Sequence, residues 1–337
     1  MASDIYAQSD FLMIKIACMY YLENIQQPQI AKELNISITT VSRFLKRAKE
    51  EKIIRYIIDD KYMHQIELAE KIRLKYNLKE VIVASNPVLG ESIAPDSHIM
   101  RVEKRKKVAL EAARYLQRII QEKDVLGISW GRIVCDMLLY LNPSHKVDAT
   151  FVTLHGKLGG CILEDVQSLV KKMAKAFSGK NYYLKADALA ESQEVAEKIR
   201  RQKDTQDVYE MFEKVNIAIT GVGTWYPEKK SILAQYNILD ENEQDILSED
   251  GAVGDIGLRF FDAIGKECGE NLSKRLLSMD FEQFKKIKRK ITVAAGLEKA
   301  YTLDCALKGS LIDVLILDEE LAEHLLNVNF MDIFKKS

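Results

Sequence analysis

The sequence predicts an α/β fold in which a small, mostly helical N-terminal domain precedes a larger domain built around a mostly parallel sheet. From residue 80 onward, short apolar runs alternate with amphipathic segments, as expected for strands covered by helices on both faces. Before residue 80, apolar residues recur mainly at helical spacings. A chain of 337 residues is long enough for two domains. We predict a first domain at 1–60, a linker helix at 61–78 and a second domain at 79–337.

Residues 27–47 predict two short helices joined by a tight turn. Pro28 suits the first position of a helix, where a missing N–H costs nothing. Asn35 tolerates the left-handed conformation that such a turn requires, and Ser37 is a good N-cap for the second helix. The predicted buried stripe of that helix is Val41, Leu45 and Ala48.

The other face of the second helix is polar. A small helix of this kind fits the major groove of DNA, where hydroxyl and guanidinium groups hydrogen-bond base edges and phosphates. The alternative is a helical hairpin whose polar face is merely solvated. The residues that we predict to contact DNA are Gln27, Ser37, Thr39, Thr40, Ser42, Arg43 and Lys46.

The distribution of charge supports a DNA contact at this helix. The formal net charge of the chain is −1, so affinity for nucleic acid has to come from a local concentration of cations. Residues 37–55 contain six Lys or Arg against two Glu, a local balance of +4. A second basic run at 101–107 is open to two interpretations, a patch that faces phosphate or the solvated start of a helix.

Four further segments of the chain have predicted structures. A helix is expected from Asp10 to Glu23 with Ser9 as its cap, and a short wing strand at 52–59. The amphipathic stretch at 64–78 predicts the linker helix, and the acidic stretch at 240–250 a solvated surface loop. The strands of the larger domain are predicted at 81–85, 124–129, 149–154, 215–220, 291–295 and 313–318.

Several classes of protein are disfavoured by the composition. Five cysteines are scattered singly, without a CxxC pair or a histidine at ligand spacing, which argues against a metal site and a disulfide framework. The N-terminus has no signal-peptide pattern, and no apolar run approaches the length of a membrane span. We therefore expect a cytoplasmic protein with no cofactor, no metal and no membrane partner.

Glycine-containing loops follow four of the predicted strands, at 129–132, 155–160, 221–225 and 294–300. Parallel sheets bind ligands at the carboxyl ends of their strands, and glycines there let the backbone approach a phosphate closely. A single loop of this kind is often only structural, and neither a P-loop nor a complete dinucleotide fingerprint is present. Four such loops on one sheet predict a site for a small anionic ligand.

Polar side chains in these loops would complete the site. Ser129 and Thr224 can donate hydroxyl hydrogen bonds, and Arg132 can bind a phosphate or carboxylate through two parallel N–H groups. Lys299 adds a full positive charge. His155 has two open interpretations, a ligand donor at a strand end or a hydrogen-bonded loop histidine.

Several blocks follow one another along nearly the whole chain: IACMYYLENIQQPQIAKELNISITTVSRFLKRAKEEKII, LGISWGRI, FVTLHGKLGG, IAITGVG, GAVGDI, AAGLEKA and ALKGSLIDVLILDEELAEHLL. In this order they resemble the SorC family of sugar-responsive bacterial transcriptional regulators. The resemblance implies that the helix-turn-helix domain binds operator DNA. It also implies that the second domain is a Rossmann-like α/β effector domain, similar to sugar-phosphate isomerases, that binds a phosphorylated sugar, and that the chain forms a homo-oligomer, a dimer or a tetramer.

The resemblance also implies roles for single residues. Gly221, Gly223 and Thr224 would lie near the effector phosphate, Asp255 would accept hydrogen bonds from sugar hydroxyls, and Lys299 would neutralise charge. Two positions depart from the family pattern: Ile133 replaces a usual threonine, and Lys157 replaces a usual glycine. The predicted ligand-binding residues are Ser129, Gly131, Arg132, His155, Gly156, Gly221, Gly223, Thr224, Asp255 and Lys299.

An enzyme is the alternative from a different class. A sugar-phosphate isomerase or hydrolase with an accessory DNA-binding module would need a carboxylate base beside a phosphate pocket, for which Asp255 and Asp318 are candidates. The sequence offers no acid and base at a convincing spacing, and a fold by itself does not carry a function. We therefore predict a ligand-switched transcriptional regulator without catalytic residues.

Overall fold

A computed structural model describes residues 2–54, 60–87, 94, 97–158, 165–236 and 238–327 of the chain, with the backbone alone for 2–9 and 60–62. The chain forms two compact units, Met1–Tyr62 and Met63–Ser337. Within the described ranges, no helix is both long enough and apolar enough to cross a membrane.

The N-terminal unit contains the predicted helix-turn-helix. Its helices are α1 (Ala2–Tyr21), α2 (Gln27–Glu33) and α3 (Ile38–Glu50). Asn35, in the turn, has a left-handed φ of 54°. The Ser37 side chain accepts a hydrogen bond from the Thr40 backbone N–H at 3.0 Å and so caps α3. The apolar stripe of α3 is buried in one cluster with α1 and α2, which confirms the predicted inner face.

Two predictions concern the ends of this unit, the Ser9 cap at its start and the wing strand at its end. The first helix begins at Ala2 rather than near Asp10, so Ser9 lies inside it and the predicted cap is wrong. A serine inside a helix costs little when its neighbours on both sides continue the helical hydrogen bonds. Of the predicted wing strand at 52–59, residues 55–59 lie outside the described residues.

The larger unit is built on two sheets. Their strands are β1 (Glu80–Ala84), β2 (Val125–Ile128), β3 (Thr150–Thr153), β4 (Lys180–Tyr182), β5 (Ile217–Thr220), β6 (Gly223–Thr224), β7 (Gly254–Ile256), β8 (Arg259–Phe261), β9 (Arg289–Ala294) and β10 (Val314–Asp318). Among the described residues, seven strands form a parallel sheet in the order β1-β10-β9-β5-β2-β3-β4, and β6-β7-β8 form an antiparallel sheet. The six predicted strands all belong to the parallel sheet, whereas β4 and the smaller sheet were not predicted.

Helices cover both faces of the parallel sheet. Within the described residues, the helices of the larger unit are α4 (Asp60–Tyr76), α5 (His98–Ile119), α6 (Arg132–Met137), α7 (Val166–Phe177), α8 (Gln193–Arg200), α9 (Lys203–Phe212), α10 (Ile232–Gln235), α11 (Glu241–Glu249), α12 (Glu270–Arg275), α13 (Phe281–Lys285), α14 (Ala300–Lys308) and α15 (Glu319–Asn327). Of these, α10, α11 and α12 pack in a third apolar cluster and not on the parallel sheet. Adjacent strand residues alternate between two apolar clusters: Phe151 packs in the cluster of α5 and α7, and Val152 in that of α9 and α14. Burial on both faces explains why the strands are continuously apolar, and the predicted α/β class is confirmed.

The acidic stretch at 240–250 is a helix, α11, and not the predicted loop. Asp240 and Glu243 form a reciprocal capping box at its start, where carboxylates also favour the positive end of the helix dipole. Leu247 is buried in a third apolar cluster, and the Ser248 hydroxyl accepts a hydrogen bond from the Trp225 indole N–H. The capping box and the buried Leu247 therefore stabilise this segment as a helix despite its high charge.

Candidate functional site

The outer face of α3 carries most of the predicted DNA-contacting side chains. Thr39, Ser42, Arg43 and Lys46 are exposed, at spacings of three and four that place them on one side of the helix. Thr40 is half-buried and shares a 2.8 Å hydrogen bond with the Ser37 hydroxyl. The remaining predicted residue, Gln27, is half-buried at the start of α2.

The cations on α3 differ in how they are paired. Arg43 forms no ion pair with any described residue. Lys46 lies 3.8 Å from Glu50, but both side chains are so exposed that the pair contributes little. Arg47 instead bonds Glu51 at 2.5 Å and Asp10 at 3.0 Å, and so ties α3 to α1. Arg43 and Lys46 are therefore available to a phosphate backbone, whereas Arg47 stabilises the fold.

A cavity of about 640 Å³ lies at the carboxyl edge of the parallel sheet. Its wall includes the segments that follow β2, β5, β9 and β10, together with the first turns of α5. This is the edge where α/β sheets bind their ligands. Seven predicted ligand-binding residues lie in its wall: Ser129, Gly131, Arg132, Gly221, Gly223, Asp255 and Lys299.

The glycines of the loop after β5 have different roles. A Cβ atom added at Gly223 would lie 2.0 Å from Asp255 Oδ1, so this position has to be glycine for Asp255 to keep its place. A Cβ at Gly221 would meet no atom of the described chain within 4 Å. Gly221 therefore exposes backbone in the cavity wall, as an anion site requires.

Two ionisable side chains of the cavity wall, the buried Asp255 and the half-buried Lys299, influence each other electrostatically. Burial raises the pKa of Asp255, and the Ser231 hydroxyl and the charge of Lys299 oppose that shift. Burial lowers the pKa of Lys299, and its Nζ donates a hydrogen bond to the Val222 carbonyl. Asp255 Oδ1 is buried and accepts no hydrogen bond from any described residue. Since a buried acceptor without a partner is costly, this oxygen is a natural acceptor for a ligand hydroxyl.

Three predicted ligand-binding residues do not line the cavity: His155, Gly156 and Thr224. His155 is fully buried, and its Nε2 accepts a hydrogen bond from the Trp130 N–H at 2.9 Å. Its Nδ1 therefore carries the proton and donates to the Gly156 carbonyl at 2.7 Å. Both ring nitrogens are used, so the structure favours the loop-histidine interpretation.

Gly156 and Thr224 also have partners within the fold. A Cβ atom at Gly156 would lie 2.5 Å from the Ala186 carbonyl oxygen, so the glycine permits a close approach between two backbone segments. The Thr224 hydroxyl is buried and donates to the Glu298 carbonyl at 3.4 Å. Both residues support the loops behind the cavity wall.

The buried His155 predicts a specific pH dependence of stability. Burial lowers the pKa of His155 to about 4, whereas an unfolded histidine titrates near 6.5. Between these values the unfolded state binds the additional proton, so the free energy of unfolding should fall as the pH falls from 6.5 to 4, by up to about 1.4 kcal/mol per pH unit. Urea denaturation across this range should show a shallower decline for His155→Gln than for the parent protein.

His145→Gln is the matched control, because His145 is an exposed histidine of the same unit. If His155→Gln and the parent protein lost stability in parallel over this range, His155 would not be the group that titrates.

The basic face of α5 lines the cavity, although its residues were not among the predicted ligand-binding residues. Arg101, Lys104 and Arg105 all line the cavity, at spacings that place them on one helix face. The run at 101–107 had two open interpretations, a patch that faces phosphate or the solvated start of a helix, and the structure places three of its cations in the cavity wall. Two of the three, Lys104 and Arg105, already pair with carboxylates. The helical spacing was a usable signal, but the sequence did not show which way that face points.

Asp318 and a cluster of His64, Glu319 and Glu323 make contacts within the fold. Asp318 accepts hydrogen bonds from the Gly296 and Leu321 backbone N–H groups, and so holds a loop and the start of a helix. His64 Nε2 lies 2.9 Å from a Glu323 oxygen and 3.5 Å from a Glu319 oxygen. Among the described residues, His64, Glu319 and Glu323 form the one group able to ligate a metal ion, but both glutamates already contact His64, and exposed acidic groups of this kind are common without a metal.

Comparison with known proteins gives two family matches. A model described as "Putative sugar-binding domain" matches residues 60–327, which is most of the chain and contains the cavity. A model described as winged helix-turn-helix DNA-binding matches residues 23–55, which contain α2 and α3.

Individual relatives match over nearly their full length. The chain is 28% identical to the "Deoxyribonucleoside regulator" of Bacillus subtilis over 317 residues, 94% of this chain and 97% of the relative. It is also 28% identical to the "Sorbitol operon regulator" of Klebsiella pneumoniae over 318 residues, with the same coverage. The crystal structure of full-length SorC from Klebsiella pneumoniae superposes with a TM-score of 0.70 at 28% identity, covering 94% of this chain and 98% of that one.

Proposed function

The chain belongs to the SorC family of transcriptional regulators, and on this premise we propose that a phosphorylated sugar in the cavity controls its binding to an operator. The operator would belong to genes of carbohydrate utilisation. The N-terminal unit would bind DNA through the exposed face of α3, and the larger unit would hold the effector. The proposed domain boundaries remain 1–60 and 79–337, with a linker helix at 61–78.

The chemistry of the cavity is the observation that carries this proposal. A sugar phosphate needs cations and backbone N–H groups at one end and acceptors for hydroxyl groups at the other. Lys299, Arg132 and the open backbone of Gly221 supply the first requirement. The unsatisfied Oδ1 of Asp255 supplies the second. An unphosphorylated sugar would bring no negative charge to Lys299 and Arg132.

A switch requires that the effector bind one conformation of the protein better than another. We propose a homo-oligomer, a dimer or a tetramer, because paired helix-turn-helix units recognise half-sites whose spacing is fixed by the DNA helix. A change in the distance between two such units then alters the fit to the operator. The relatives named for deoxyribonucleosides and for sorbitol indicate which sugars to test first.

We further propose that the protein acts in the cytoplasm and binds its effector without converting it. Of the two carboxylates considered as catalytic bases, Asp318 is occupied by backbone N–H groups, which leaves Asp255 as the single remaining candidate. Incubation with ribose 5-phosphate or glucosamine 6-phosphate, followed by NMR, should show no turnover. Conversion at enzyme-like rates would favour the alternative, an isomerase or hydrolase.

Fluorescence anisotropy with genomic operator fragments tests the switch. A phosphorylated pentose, hexose or hexitol, including phosphorylated deoxyribose and sorbitol, should change the operator dissociation constant by about 5- to 150-fold, the usual range of allosteric coupling. The corresponding unphosphorylated sugars should have no effect. Specific DNA binding that none of these phosphates alters would refute the proposed effector class.

A further inference from the structure

The first residue of α3 has an apolar side chain that the core of the N-terminal unit does not use. Ile38 begins the helix and is 52% exposed. Three other large apolar residues of α3 pack in or against the apolar cluster of α1, α2 and α3: Val41, Phe44 and Leu45. Ile38 is not part of this cluster. Core packing therefore does not account for an isoleucine at this position.

The local chemistry of the helix start does not account for Ile38 either. The first turn of a helix favours proline and carboxylates, whereas a β-branched side chain loses rotamer freedom there. The first turn of α3, whose residues are all described, contains no acidic residue. Ser37 already supplies the cap, and the apolar pair that flanks such a cap, Ile36 and Val41, packs in the core cluster. Neither capping nor helix propensity therefore requires Ile38.

Ile38 lies where a helix-turn-helix protein contacts base edges. Isoleucines are common on protein surfaces, so its position is more informative than its exposure. The N-terminal residues of the second helix of such a motif reach into the major groove. Ile38 is next to the exposed Thr39, and its neighbour one turn later on the helix surface is the exposed Ser42. An apolar side chain is thus presented among the polar residues that we expect to contact DNA.

The polar neighbours of Ile38 provide little discrimination between bases. The hydroxyl groups of Ser37 and Thr40 share a 2.8 Å hydrogen bond, and Ser37 Oγ also accepts from the Thr40 N–H. The hydroxyls of Thr39 and Ser42 both donate and accept, so they can bond to any base. Discrimination at the start of α3 then depends on Ile38. The apolar group that base edges present in the major groove is the C5 methyl group of thymine.

We propose that Ile38 contacts the C5 methyl group of a thymine in each operator half-site and so helps to select the operator. This inference rests on the proposed function and names a base that the N-terminal unit distinguishes. The contact removes two apolar groups from water together, which is favourable in proportion to the area buried. A cytosine at the same position would instead place its amino group against the isoleucine and leave that donor without a partner.

Replacing thymine with uracil tests the contact, because uracil lacks only this methyl group. Fluorescence anisotropy on the full chain would compare a specifically bound genomic operator fragment with versions that carry uracil at one thymine position in turn. At one position in each half-site, uracil should weaken binding of the parent protein by about fourfold, the effect of losing one buried methyl group. At the same position, 5-methylcytosine should bind more tightly than cytosine by a similar factor.

Variants of the N-terminal unit assign the preference to one side chain. Ile38→Ala should bind the thymine and uracil fragments equally, and Ile38→Val should retain part of the preference. A purely structural role of Ile38 would lower both affinities by the same factor, so the ratio reports the contact itself. Ile14→Ala is the matched control, because Ile14 is an exposed isoleucine on α1 of the same unit. It should show the preference of the parent protein.

The possible failures are distinguishable. If no uracil substitution weakened binding by the parent protein, or if Ile38→Ala kept the preference for thymine, the methyl contact would be excluded while the proposed function would stand. If the full chain bound no genomic fragment specifically, the proposed DNA binding and the methyl contact would both be excluded.

Discussion

Replacing Arg43 with alanine is expected to weaken operator binding by about 10- to 100-fold and to reduce its salt dependence. The side chain is exposed on the outer face of α3 and has no ion pair among the described residues, so its charge is available to DNA. One contact to guanine is worth about 1–3 kcal/mol, and one phosphate contact contributes about one unit to the slope of log K against log salt. Fluorescence anisotropy at several salt concentrations measures both quantities.

Two further variants serve as controls for Arg43→Ala. Lys15→Ala removes a positive charge from an exposed position on α1 of the same unit, and should leave affinity nearly unchanged. Arg47→Ala should instead lower the melting temperature, since Arg47 ties α3 to α1. Equal affinities for Arg43→Ala and the parent protein would mean that α3 does not present this side chain to the groove.

Replacing Lys299 with methionine should weaken effector binding by about tenfold or more and leave operator binding without effector intact. Methionine keeps most of the apolar stem and removes the charge beside Gly221 and Arg132. A hydrogen bond to a charged group is worth about 1.5–3 kcal/mol, which corresponds to roughly 10- to 150-fold in affinity. Titration calorimetry with the most tightly bound sugar phosphate measures the dissociation constant of the effector. Fluorescence anisotropy measures the dissociation constant of the operator.

Lys266→Met is the control for the loss of one charge, because Lys266 is exposed and outside the cavity. The Lys299 side chain also donates to the Val222 carbonyl, so a structural role has to be tested. If Lys299→Met lowered the melting temperature strongly without effector present, the lysine would hold the loop after β5 rather than bind phosphate.

The local elements of this protein follow from short sequence signals. Pro28, Asn35 and Ser37 act within a few residues of themselves, so they define the helix-turn-helix without reference to the rest of the chain. The six apolar runs predict their strands for a similar reason, because a strand buried on both faces has to be continuously apolar. The same signals placed six of the ten predicted ligand-binding residues in one cavity wall, since strand ends of a parallel sheet share an edge. A seventh, Asp255, was predicted from the family resemblance and reaches the cavity from the smaller sheet.

What the sequence alone determined was therefore the type and order of the elements, together with the edge at which their loops meet. Only the tertiary structure decided which side chains face the cavity. The His155 ring bonds the backbone of Trp130 and Gly156 and does not line the cavity. Lys104 lines the cavity and pairs with Glu320, which is more than two hundred residues away in the chain. Periodicity and capping are set by neighbours in the chain, whereas the direction of a side chain and the partner of a charge depend on contacts between distant segments that exist only after folding.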